Sequence, residues 1–296
     1  GGGGTCSAED ALGEAIAQAN RLGATVVVAA GNSSDDAMNY SPASCPGALT
    51  VAATGITSQK AFYSNYGARV DLAAPGGGVY PNDGDDGDPV DTGFVWSAIN
   101  QGTTVPAAPA YGGYAGTSQA TPHVSGTVAL LQSARLANGL DLLGPEQVRS
   151  VLRQTAHAPR VAPSGSQSIG AGIVDAYAAV AKAVAGDDYV ATLSNGVAAT
   201  GVQGSASDTL YYQVEVPAGA KALVLRTFGG NGDVSLYVKL GAKPGVEDYD
   251  YASAHVGNNE AVSLARPAAG TYYLEVVGAK DFANLSVQAS FIAPAQ

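Results

Sequence analysis

Three largely apolar runs stand out in the first half of the chain, at positions 25–30, 49–53 and 70–74. Near-continuous apolar runs are typical of strands buried on both faces of a parallel sheet. Before the first run and after the third, apolar residues recur at the three- to four-residue spacing of amphipathic helices. The pattern therefore predicts an α/β domain in which helices cover a parallel sheet.

The predicted helices have recognisable beginnings. The first is expected from Ser7, which with Asp10 resembles a capping box, and its buried face carries Leu12 and Ile16. Further helices are predicted at 118–135, from Pro145 onward and at 173–185, with a short strand at 94–99. The Asp-, Gly- and Pro-rich positions 81–90 are expected to form a loop.

The pattern changes after residue 186. Helical spacing gives way to short β-rich runs separated by Gly, Asn, Asp and Pro, which predicts a small all-β sandwich. Strands are expected at 210–216, 222–227, 234–240, 271–277 and 285–291. We therefore expect two domains, residues 1–186 and 187–296.

The net charge and the length of the apolar runs argue against two kinds of binding partner. The 296 residues carry a net charge of −11, although only 13% of them are charged. A chain with so few basic residues is a poor nucleic-acid binder, because neutralising phosphate supplies most of that affinity. No apolar run is long enough to span a bilayer. We expect neither nucleic acid nor membrane as a partner.

One stretch carries a specific chemical signal, Ala-Gly-Thr-Ser-Gln-Ala-Thr-Pro-His-Val-Ser-Gly at 115–126. Gly116 allows close backbone approach, and Ser118 lies at the mouth of a helix, where free N–H groups stabilise negative charge. Ser and Thr are also ordinary helix caps, so three letters alone would mean little. The full stretch resembles the nucleophile motif of the subtilisin-like serine proteases (subtilases), which implies that Ser118 is a catalytic nucleophile.

The resemblance extends to a second motif, Ala-Ala-Gly-Asn at 29–32. By itself Asn32 fits a turn residue after a glycine. The family resemblance implies instead that its side chain donates to the oxyanion of the reaction. It also implies that Ala29, Ala30 and Gly31 line the pocket for the residue before the scissile bond. The strand that pairs with substrate is then Gly1, Gly2 and Gly3.

The resemblance implies a three-layer subtilase-type sheet whose amino-terminal part is absent from this chain. Residues 232–238 and 269–273 are similar to a bacterial pre-peptidase C-terminal domain. The catalytic Asp and His of a subtilase should precede the Gly-rich strand with which this sequence starts. None of the three histidines, His123, His157 and His255, stands in a suitable position, and Asp91 in Asp-Thr-Gly follows a loop.

We therefore expect a secreted serine endopeptidase of subtilisin type that acts on proteins or peptides and receives its His and Asp from a missing segment. The chain alone is expected to be inactive, because loss of the base is very costly to a triad. The alternative is a non-catalytic chain whose β-sandwich docks protein or polysaccharide.

The two cysteines, Cys6 and Cys45, flank one predicted βα unit. Free thiols are possible with only two cysteines, but we favour a disulfide and, with it, an oxidising extracellular location. No cofactor is required for the chemistry. Asp83, Asp85 and Asp88 are weak candidates for a structural calcium site, and a solvated acidic turn explains them equally well.

Overall fold

The computed structural model describes residues 2–80, 87–161, 163, 167–186 and 189–294. The chain forms two compact units, Gly1–Val180 and Ala181–Gln296. The predicted boundary after residue 186 falls just beyond the last helix and stays a prediction. The strands of the first unit are β1 Gly2–Gly3, β2 Val27–Ala29, β3 Tyr40–Ser41, β4 Leu49–Thr54, β5 Leu72–Pro75, β6 Val95–Asn100 and β7 Pro109–Tyr114. The helices are α1 Ala11–Arg21, α2 Thr117–Ala137, α3 Pro145–Thr155 and α4 Ala176–Ala185, which runs across the division.

The predicted parallel sheet is present as three strands in the order β2-β4-β5. Every residue of β4 is buried, as expected for a continuous apolar strand with partners on both sides. Helix α2 packs on all three strands. The α/β architecture, followed by a β-rich unit, is thus confirmed, and it puts the start of α2 at the end of β2.

Two helix predictions need correction at their starts. Helix α1 begins at Ala11 because the Ser7 N–H donates to Asp10, at 2.6 Å, and so closes a separate turn before the helix. Its buried stripe contains Gly13 and Ile16, whereas Leu12 is exposed. Helix α4 begins at Ala176, because Ile173 instead forms backbone bridges to Ala73 and His157.

A carboxylate between the sheet and α3 anchors that helix. Asp71 is buried, accepts from the Thr50 N–H at 2.8 Å, and pairs with Arg149 at 2.5 Å. Arg69 and Arg153 lie 3.6 Å and 3.5 Å from the same carboxylate. Three guanidinium groups therefore converge on one buried negative charge.

Beyond the end of α4, the described part of the second unit consists of strands and their connecting turns. The strands are β8 Val190–Thr192, β9 Ala198–Gly204, β10 Thr209–Val216, β11 Lys221–Phe228, β12 Asn231–Leu240, β13 Tyr251–Ser253, β14 Ala261–Leu264 and β15 Gly270–Ile292. The two last predicted strands are one continuous strand, β15. Its first part pairs with β10 and β12, and its later part with β11 and β9. Register shifts between these parts let one strand change partners without a turn.

No helix in the described ranges is both long and apolar enough to cross a membrane.

Candidate active site

Ser118 is the second residue of α2, and it is exposed. Its position leaves the Ser118 N–H without a partner inside the helix, so this N–H and the helix dipole are available to a negative charge. Gly116 precedes the helix with φ of +155° and donates its N–H to Gly76 O at 2.8 Å. A Cβ at Gly116 would lie 3.2 Å from Asn32 Nδ2. Glycine at this position therefore lets the Asn32 amide approach the nucleophile turn.

Thr117 fixes the orientation of the Asn32 amide. The Thr117 N–H and its hydroxyl both donate to Asn32 Oδ1, at 2.9 Å and 2.8 Å. The same hydroxyl accepts from the Gly31 N–H at 3.1 Å. Because Oδ1 is held as the acceptor, Nδ2 is the free donor of this exposed side chain. Ser118 N–H and Asn32 Nδ2 are thus two donors beside one serine, the arrangement that an oxyanion hole requires.

Asn65 holds the loop that carries Asn32. Its buried amide donates to Ala30 O at 2.9 Å and accepts from the Ser33 N–H at 2.8 Å, one contact on each side of Asn32. Gly31 has φ of +109°, and a Cβ there would lie 2.3 Å from Asn65 Nδ2. Sequence reasoning gave no role to Thr117 or Asn65. A signal for Asn65 is present in the run Tyr-Ser-Asn-Tyr-Gly at 63–67, which resembles a Ser-Asn-x-Gly run of the subtilases.

A cavity of about 490 Å³ opens beside the serine. The described candidates for catalysis and substrate binding all line it: Gly2, Gly3, Ala29, Ala30, Gly31, Asn32 and Ser118. Among the described strands, β1 pairs with β3 alone, which leaves its other edge open for an extended peptide. Gly1 lies outside the described residues. The small Gly and Ala residues that line the cavity leave room for a peptide side chain next to Ser118, and the open edge of β1 can pair with the peptide backbone.

A disulfide between Cys6 and Cys45 secures this wall of the cavity, as the sequence led us to expect. Cys6 follows β1, and Cys45 follows β3. A cross-link over 39 positions stabilises the fold by about 4 kcal/mol in the chain-entropy model.

The first unit brings no histidine to Ser118 within its described residues. The His123 ring turns back on its own helix, with Nδ1 2.9 Å from Gln119 O. His157 Nδ1 lies 3.2 Å from Ala158 O. His255 belongs to the second unit, where Nδ1 is 3.1 Å from the buried Glu260 carboxylate. Asp91 opens a short 3-10 turn, and its carbonyl accepts from the Trp96 indole.

The predicted acidic loop lies partly outside the described residues. Asp83 and Asp85 lie outside the described residues, and Asp88 is exposed. Across the positions that are described, no group of three His, Cys, Asp or Glu side chains is placed to hold a metal ion. Calcium binding stays a prediction.

Both parts of this chain match known protein families. Residues 1–221 match the subtilase family, and residues 208–278 match the bacterial pre-peptidase C-terminal domain. An extracellular protease of Xanthomonas campestris pv. campestris is 38% identical over 98% of this chain. Alkaline serine exoprotease A of Vibrio alginolyticus is 31% identical over 95%. The chain spans about half the length of these relatives, 47% and 48%.

A solved structure agrees with the family match. A protease from Pseudoalteromonas arctica is similar at a TM-score of 0.53 and 38% identity, over 62% of this chain and 49% of that one. The subtilase match covers well over half of the chain, including Asn32, Asn65 and Ser118. The chain therefore belongs to the subtilase family and carries a pre-peptidase C-terminal domain after its subtilase part.

Proposed function

We propose that this chain supplies the nucleophile and the oxyanion hole of a secreted serine endopeptidase that cleaves peptide bonds in proteins. The observation that carries the proposal is the Thr117–Asn32 pair, which directs Asn32 Nδ2 outward beside Ser118. Thr117 ties the start of α2 to the loop after β2 and holds the exposed Asn32 amide in one orientation. A donor held in one orientation suits a site where a negative oxygen forms.

In the proposed reaction, Ser118 Oγ attacks the carbonyl carbon of the scissile bond, and its proton passes to a histidine. The carbonyl electron pair moves to oxygen, where the Ser118 N–H and Asn32 Nδ2 donate to it. Collapse of this intermediate breaks the C–N bond, and the histidine returns the proton to the leaving amine. Water then releases the acyl group from Ser118 by the same steps.

The histidine and its aspartate are proposed to come from a polypeptide segment outside these 296 residues. An open apolar groove of about 800 Å³ runs along α2 one turn beyond Ser118. Pro122, Gly126 and Leu130 form its α2 wall, and Pro75 and Val174 lie opposite. Leu130 is exposed in this groove. A segment seated there would cover the apolar wall and bring a base to the serine.

The assignment predicts a chain that is inactive by itself, because removal of the base costs about 10⁶-fold in the subtilisin triad. The test is labelling with a fluorophosphonate, followed by denaturing mass spectrometry of the purified protein, with Ser118→Ala as the control. An adduct on Ser118 in the presence of a second polypeptide supports a triad shared between segments.

Two outcomes contradict the proposal. Rapid labelling or casein hydrolysis by a chromatographically pure 296-residue chain would refute the external base. Absence of an adduct in an assembled sample would refute the nucleophile, and a non-catalytic binding role for the second unit would then be favoured. The extracellular location is supported by the disulfide and by the names of the relatives.

A further inference from the structure

The hairpin formed by β6 and β7 is an uncharged arm directly before the nucleophile. In the described part of the chain, these two strands pair only with each other, so both outer edges are open. Positions 92–134 contain no Asp, Glu, Lys or Arg, in a chain with a net charge of −11. Open strand edges are normally protected by charges, because they invite pairing with another chain. This hairpin lacks that protection.

The largest exposed side chains of the hairpin are aromatic. Tyr111 is 80% exposed and Trp96 is 55% exposed. The register places Trp96 opposite Gly113 and Ala98 opposite Tyr111, so both aromatic rings project from one face. The indole is held in place, because its Nε1 donates to Asp91 O at 2.9 Å and a Cβ at Gly113 would lie 3.1 Å from its ring. A rigid exposed ring loses little entropy when it binds.

The arm is tied to the active-site turn. Strand β7 ends at Tyr114, four residues before Ser118, so the two Cα atoms are at most about 14 Å apart. The connection is fixed where the Gly116 N–H donates to Gly76 O. The cavity beside Ser118 is lined by no residue of the hairpin. The arm therefore lies near the nucleophile but outside the pocket assigned to the residue before the scissile bond.

We infer that the hairpin is a docking arm for the substrate polypeptide beyond the scissile bond, an inference that rests on the proposed function. An extended chain pairs with the open edge through backbone hydrogen bonds, and its side chains lie on Trp96 and Tyr111. The uncharged surface selects for extended backbone and apolar side chains and imposes no charge requirement. A small peptide that ends at the scissile bond does not reach it.

Trp96 is the only tryptophan in the chain, so its fluorescence reports on the arm alone. The experiment uses the Ser118→Ala chain and two tryptophan-free probes, gelatin and the tetrapeptide amide succinyl-Ala-Ala-Pro-Phe-NH₂. With gelatin, acrylamide quenching of Trp96 is expected to fall by about half, since docking covers an aromatic residue that is 55% exposed. The emission maximum also moves to shorter wavelength. The tetrapeptide changes neither quantity.

A matched pair of variants separates docking from a general effect of surface tyrosines. Tyr111→Ser is expected to weaken gelatin binding at least about fivefold, because it removes one of two stacking rings. Tyr177→Ser, on α4 and 86% exposed, is expected to leave it unchanged. Equal losses in both variants would overturn the inference.

Other outcomes also overturn it. Unchanged Trp96 quenching with gelatin excludes the arm as a polypeptide site. Protection that rises with protein concentration in the absence of gelatin assigns the open edges to a second copy of the chain. Because the probe binds without reaction, these results stand apart from fluorophosphonate labelling, which alone tests the nucleophile.

Discussion

Replacing Asp71 by asparagine tests whether one buried carboxylate holds α3 on the sheet. Its side chain is 7% exposed and lies within 4.0 Å of guanidinium nitrogens of Arg69, Arg149 and Arg153. Asparagine keeps the size and the acceptor for the Thr50 N–H, so the main change is the lost charge. Burial lowers the pKa of Arg69 and of Arg153, and the Asp71 carboxylate opposes that shift.

The expected cost follows from what remains after the substitution. In the variant, the three guanidinium groups stay close together without the buried carboxylate. Glu146 also pairs with Arg149, but its side chain is 75% exposed, so it compensates little for the lost charge. Breaking a buried ion pair by removing one partner costs about 3–5 kcal/mol. For a unit of this size, such a loss lowers the melting temperature by roughly 6–20 °C.

The assay is thermal unfolding followed by circular dichroism at 222 nm, since all four helices begin in the first unit. Glu146→Gln is the matched control, because it removes an exposed partner of the same arginine. It should cost no more than about 1 kcal/mol. If the two variants melt at the same temperature, the reasoning about burial is wrong.

Three further predictions concern the site and the second unit. Thr117→Val should reduce turnover by the assembled protease about tenfold, because the hydroxyl's bonds with Asn32 Oδ1 and the Gly31 N–H are lost while the Thr117 N–H still donates to Asn32. Thr121→Val on the same helix should have little effect. Burial raises the pKa of Glu275 above its ordinary 4.5, so the folded unit binds a proton that the unfolded chain releases. Its stability should therefore fall as pH rises from 4.5 through the raised pKa, a dependence that calorimetry should not find in Glu275→Gln. Finally, Gln119 takes the place where the resembling subtilase motif usually has Met, so peroxide should spare fluorophosphonate labelling of Ser118 in the assembled protease and slow it in Gln119→Met.

Part of this protein can be predicted from local pattern. The run that became β4 has no charged residue and only small or apolar side chains, which is typical of a strand buried on both faces. The loss of helical spacing after α4 likewise marks the start of a unit built from strands. Ser118 at the start of a helix follows from the glycine before it and the apolar residues after it. These features depend on neighbours a few residues apart, which a sequence displays directly.

The tertiary structure decided the features that join distant positions. Thr117 orients Asn32 across 85 residues, and Asn65 holds the same loop across 32 and 35 residues. The predicted strands at 271–277 and 285–291 merge into β15 because different partner strands pair with its two parts. The run before Ser118, rich in Gly and Tyr, becomes β7 and pairs with β6, and Gly113 leaves room there for the Trp96 ring. Local spacing encodes which segments bury their side chains, but hydrogen-bond partners and open edges depend on which segments meet in the folded chain.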